Sequence, residues 1–160
     1  MSTEPTITGL ARVLVSENLL EREVALAAFT TADKNGTPLV RHLVKNRLID
    51  SRLIAKTASQ EFGLPLLDIS AMDATLFPHT QVDSKLLVKH NMLPILRKGH
   101  KMFLAVSDPS NQTAIDEIKF NAGCSVDLVV VEDDKLHQLI EGLVNTEKEE
   151  PGKFDDLQNM

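Results

Sequence analysis

Residues 10–29, LARVLVSENLLEREVALAAF, align with residues 39–58, LVRHLVKNRLIDSRLIAKTA, when the chain is displaced by 29 positions. Identities fall at Leu10/Leu39, Arg12/Arg41, Leu14/Leu43, Val15/Val44 and Leu19/Leu48, and Leu20/Ile49 and Glu21/Asp50 match in character. The matched positions carry helical spacing, so the repeating unit is a helix pair that needs its neighbour to bury its apolar stripe. Two copies predict four short helices packing two on two across residues 1–62. The turn chemistry agrees. TTADKNGT (30–37) separates the copies with an Asn-Gly pair, and Glu21 after Leu20 and Asp50-Ser51 supply helix starts.

The texture changes near residue 63. Pro65 and Pro78 exclude a long helix there. QVDSKLLVKHN (81–91) predicts a helix capped by Asp83 or Ser84. Residues 92–108 predict two strands around the turn Arg97-Lys98-Gly99-His100. A helix over 110–122, a strand over 125–131 and a helix over 133–144 follow. The ββαβα order across residues 63–145 predicts a small sheet of about three strands with helices on one face, and an α+β chain overall. The consecutive Val129, Val130 and Val131 predict that the last strand is covered on both faces. Residues 146–160, acidic and interrupted by Pro151 and Gly152, predict a disordered linker.

Composition narrows function mainly by exclusion. The chain has 160 residues, is 42% hydrophobic and 25% charged, and carries a net charge of −6. That balance argues against nucleic acid or an anionic membrane as partner, and Trp and Tyr, the usual stacking residues, are absent. No apolar run reaches transmembrane length, and the N-terminus lacks the basic and apolar regions of a signal peptide. The single cysteine, Cys124, cannot form an internal disulfide and reads as an inert thiol in a reducing, cytoplasmic setting.

Catalytic machinery is missing as well. His42, His79, His90, His100 and His137 are scattered, with no metal-ligand spacing, so no metal is expected. There is no nucleophile elbow. Gly99-His100-Lys101 is not the end of a P-loop, because Pro94 stands where the first glycine belongs and no Ser or Thr follows the lysine. The expectation is no enzyme and no catalytic residue. Lys85, Lys89, Arg97, Lys98 and Lys101 form a basic cluster that reads either as a soluble hairpin edge or as a docking face. SDPSN (107–111) has the look of a catalytic loop. Asp108 as a helix N-cap with Pro109 in the first turn explains it without catalysis.

EFGLPLLDIS (61–70), NMLPILRKGHKMFLAVSDPSNQTAIDEIKF (91–120) and DLVVVEDDKLHQLI (127–140) resemble the N-terminal region of type IV pilus assembly ATPases, the PilB-type extension motors, within the type II secretion superfamily. The similarity runs from about residue 5 to 145. It implies a regulatory or docking domain whose tail leads to a missing hexameric ATPase core holding ATP and Mg. It also implies a place at the cytoplasmic face of the inner membrane, a role in twitching motility, and contacts with a PilZ-family adaptor or the inner-membrane platform. Leu19, Leu20, Leu48 and Ile49 are the candidate partner-binding residues.

The repeat is also similar to the cyclic di-GMP module of such ATPases (MshEN-like), whose two motifs each open Arg-Leu-Gly and carry a central glycine and a final glutamine. That similarity nominates Leu10, Arg12, Leu14, Leu39, Arg41 and Leu43 for the nucleotide. The leucines fit, but the polar positions do not. The opening arginine is Gly9 and Pro38, its glycine Ala11 and Val40, the central glycine Asn18 and Arg47, and the glutamine Ala32 and Glu61. A doubly phosphorylated ligand needs cations and close backbone approach, so the expectation is a retained fold without cofactor.

Overall fold

The computed structural model describes residues 7–158, with side chains described through Asn145. Its helices α1 (Gly9–Ser16), α2 (Arg22–Asn35), α3 (Leu39–Lys45) and α4 (Ser51–Phe62) are the predicted pairs. Displacement by 29 positions reproduces the geometry of the turns as well as the sequence. Leu19 N donates to Leu14 O and Leu48 N to Leu43 O, both at 2.9 Å. At the equivalent positions Asn18 and Arg47, φ is 61° and 56°, the left-handed region. These are the two positions where the cyclic di-GMP motif carries its central glycine. The backbone bend has outlived the residue best suited to it. Leu10, Leu14, Val40, Leu43, Ile54 and Ala58 close the helical core.

Three short 3₁₀ turns (Ile69–Ala71, Ala74–Leu76 and His79–Gln81) lead into α5 (Ser84–His90), β1 (Leu93–Lys98), β2 (Lys101–Val106), α6 (Gln112–Ala122), β3 (Ser125–Val130) and α7 (Asp133–Gln158). Asp83 caps α5 as expected, accepting from Lys85 N. The sheet order is β1-β2-β3, with β1 antiparallel and β3 parallel to β2. Beyond β3, Val130 N donates to Pro65 O at 2.8 Å and Leu67 N to Val130 O at 2.9 Å. The chain leaving the helical part thus covers the open edge of β3.

Both faces are covered at the end of β3, where Val129 and Val130 lie, while Ser125 and Asp127 at its start are exposed. Val129 and Val131 pack with Leu104, Ile118 and Leu136, whereas Val130 packs with Leu10, Val40 and Ala58. The repeat helices therefore use one face of the sheet as their floor.

Two expectations need correction. Helix α6 begins at Gln112, and its N-cap is Asn111, whose Oδ1 accepts from Ala114 N at 3.4 Å. Asp108 lies three residues further back and accepts instead from Ser110 N at 2.9 Å, a local side-chain turn. Helix α7 continues to Gln158 through the stretch read as linker from 146. Propensity accounts for the part at Glu147, Lys148, Glu149 and Glu150, which are good helix formers, but not for the passage through Pro151 and Gly152. The side chains from 146 onward and residues 159–160 lie outside the described part.

The turn geometry makes a prediction. Arg47→Gly should raise the unfolding free energy by about 0.5–1 kcal/mol, because glycine enters the left-handed region without steric cost. A higher urea midpoint at unchanged slope would show it. Asn18→Gly should gain less, since Asn already tolerates that conformation.

Candidate functional site

The two halves of the molecule meet at a polar seam. Asp133, the first residue of α7, is 1% exposed. Its Oδ1 accepts from Asn91 Nδ2 at 2.7 Å and from Ser107 Oγ at 3.0 Å. Its Oδ2 faces Arg41 Nη1 at 3.1 Å across the junction with α3. That last contact is ionic, not an aligned hydrogen bond, and Arg41 Nε and Nη1 and Asp133 Oδ2 are buried without hydrogen-bond partners. Burial pushes the Asp133 pKa up, against the opposing pull of Arg41, Ser107 and Asn91. Beside it Ser51 Oγ donates to Asp134 at 2.8 Å.

A second junction lies at the start of α1. Leu10 N donates to Ser110 Oγ at 2.9 Å, and the Ser110 hydroxyl donates to Asp108 Oδ1. Gly9 has φ of +62°, and a Cβ there would stand 2.5 Å from Ser110 Oγ. Only glycine lets α1 approach the 108–111 loop so closely. Asp108 is partly enclosed, and burial raises its pKa while the two Ser110 hydrogen bonds oppose the shift.

Between these elements lies a concavity of about 500 Å³, walled by the starts of α1 and α3, one side of α2 and the 108–111 loop. Gly9, Ala11, Ala32 and Pro38, four of the positions that carry polar or glycine residues in the nucleotide motif, line it. Its ionisable groups are Asp33 and Asp108, with no Lys, Arg or His among the described lining residues. A site of this chemistry suits a cation and repels phosphate.

The sequence-derived candidates disperse. Leu10, Leu14 and Leu43 are buried in the helical core, and Leu39 is half-buried beside the concavity. Arg12 is exposed, whereas Arg41 is engaged by Asp133. Leu20 and Ile49 are core residues, 7% and 8% exposed, which removes them from the surface available to a partner. Leu19 is half-buried and Leu48 is 42% exposed. Sequence reasoning missed Asp133, Asn91 and Ser107. A carboxylate directly after an apolar strand, at a helix start, was the available signal.

Among the described residues, no helix is long and apolar enough to cross a membrane, and no group of three or more His, Cys, Asp or Glu residues could hold a metal.

This arrangement has counterparts. The N-terminal domain of XpsE superposes with a TM-score of 0.58 at 23% identity, covering 86% of this chain and 97% of that one. A solved structure of MshE with cdg superposes with a TM-score of 0.56 at 19% identity, covering 84% and 98%. Helix-pair repeat, small sheet and junction thus share a fold with an N-terminal domain of this kind. The MshEN domain family matches residues 62–150, and the chain belongs to that family. The type IV pilus assembly ATPase PilB of Pseudomonas aeruginosa is 33% identical over 157 residues, 98% of this chain and 28% of that protein. PilB of Acinetobacter baylyi is 36% identical over 139 residues, 87% of this chain and 24% of that protein. The chain therefore spans about a quarter of the length of these curated relatives.

Two measurements probe the junctions. Arg41→Ala should destabilise by about 3–5 kcal/mol, since it leaves a buried carboxylate uncompensated. Arg12→Ala should stay within about 0.5 kcal/mol of the wild type in the same urea titration. The second measurement concerns pH. With its pKa raised, Asp108 contributes stability that is complete below the ordinary aspartate range near ~4 and is lost as pH rises through the raised value. Asp108→Asn, which cannot ionise, should therefore gain on the wild type as pH is raised from about 4 to about 7 in paired denaturation curves.

Proposed function

We propose that the chain is a regulatory and docking domain of a type IV pilus extension motor, acting through contacts with a PilZ-family adaptor or the inner-membrane platform rather than through cyclic di-GMP. One observation carries the choice. Where the nucleotide motif needs cations and glycines, this chain presents a concavity whose charged groups are two carboxylates, and Arg41 is held by Asp133. A dinucleotide with two phosphates would meet repulsion there. MshE was solved with cdg, and the shared fold keeps a sensing role as the alternative reading.

Leu48 and Leu53, 42% and 39% exposed on the second helix pair, offer an apolar surface for a protein partner. The domain would then couple an adaptor or the platform to an ATPase core at the cytoplasmic face of the inner membrane, with the chemistry of ATP hydrolysis supplied by that core.

Calorimetry separates the readings. Cyclic di-GMP should give no binding heat, and purified PilZ-type adaptor or platform protein should bind, with Leu48→Glu weakening the complex about tenfold or more. Submicromolar nucleotide binding, lost in Arg12→Ala, would overturn the proposal in favour of sensing. Silence with adaptor and platform alike would remove the docking role.

A further inference from the structure

The concavity between α1, α2 and the 108–111 loop is built for a ligand of definite charge. Its floor is kept open by Ala11, Ala25 and Ala32, whose side chains are single methyl groups. Phe29, 43% exposed, stands at the rim. Asp33 makes no side-chain hydrogen bond or ion pair among the described residues. Asp108 uses only Oδ1, on Ser110, which leaves Oδ2 without a hydrogen bond. The concavity at the α3–α4 turn sets Arg41, Lys45 and Arg47 against Asp50 and Asp134, so its charges offset one another. Here no cationic side chain among the described lining residues offsets the carboxylates.

We infer that this concavity receives an arginine side chain of a partner protein. The inference rests on the docking reading above. A guanidinium satisfies every feature of the site. Its planar fork can engage two carboxylates, its weak hydration suits a partly apolar wall, and its face stacks on an aromatic ring. Asp33 lies in the last turn of α2, where the helix dipole adds to the attraction for a cation. The start of α1 forms part of the same wall and has the opposite polarity. It is answered already, because Leu10 N donates to Ser110 and the Ser110 hydroxyl to Asp108. Two carboxylates outweigh the partial charges of the α1 and α3 starts. The arginine would also give the buried Asp108 a counterion that the free domain lacks.

The probe is acetyl-arginine N-methylamide, titrated into the isotope-labelled chain, with the citrulline analogue as an uncharged isostere. Amide resonances of Gly9, Asp33, Thr37 and Asn111 should move with the arginine compound and stay still with citrulline. Asp33→Asn should weaken the arginine response about tenfold, the loss of one charge-assisted contact. Four outcomes of the titration overturn the inference: equal shifts with citrulline, no shift at high millimolar arginine amide, an unchanged response in Asp33→Asn, or displacement of the amide by cyclic di-GMP. The same Asp33→Asn chain is then offered to the adaptor and platform proteins. Undiminished binding would place docking elsewhere, so this inference falls while the docking role stands. If neither protein binds the wild type but the arginine amide does, the docking role falls and the arginine site stands.

Discussion

A single buried carboxylate organises the contact between the two halves of this molecule. Asp133 joins α3 through Arg41, the end of α5 through Asn91 and the end of β2 through Ser107, while itself starting α7. An isolated carboxylate at that depth would be prohibitively costly, and its raised pKa records the residual desolvation. The arrangement supplies little net stability compared with an apolar replacement, because desolvation offsets most of the attraction. Directionality is what it supplies. Apolar surfaces could slide against each other over the floor formed by Val130, but Asn91 and Ser107 hold the carboxylate in place and its ion pair with Arg41 then sets the register of the helical half.

The repeat shows which parts of a duplicated unit are held by geometry and which are free to change. Both copies keep the buried leucines, the helix-closing bonds and a left-handed residue in the turn. Those features are demanded by burying two short helix pairs in one core. Of the side chains facing out of each turn, Asn18 and Arg47 differ while Glu21 and Asp50 are both acidic. Asn18 and Glu21 line the concavity of the first copy, and Arg47 and Asp50 line the equivalent one. Arg47 sits in a left-handed backbone conformation that disfavours a residue with a side chain, so the turn is held by the packing of the helices around it.

Periodicity made the helical half legible because a helix pair writes its core positions directly into sequence spacing. The three strands were legible for the same reason, and the run Val129–Val131 announced a strand buried on both faces before any layer was known. What stayed hidden depends on contacts distant in sequence. Asp108 and Pro109 look like a helix start, and only the position of α1 shows that the loop instead turns on Ser110 to meet Leu10, one hundred residues away. Arg41 is a candidate ligand contact only through the resemblance to the cyclic di-GMP module, where it lies near the position of the opening arginine. Nothing local distinguishes an arginine that faces solvent from one that crosses to Asp133.

The same long-range contacts shape the concavity beside α1. Gly9 occupies the position of a motif arginine and takes a left-handed φ directly against Ser110. Replacing it with any larger residue would push α1 off the 108–111 loop, so an arginine could return there only if the loop moved. Ala11 and Ala32, at the motif's glycine and glutamine positions, then face Asp108 across the same space. The motif positions filled by other residues and the α1–loop junction thus meet at one place in the fold. An arginine at position 9 would require that junction to open, and the closed junction leaves Asp33 and Asp108 as the charged groups of the described lining.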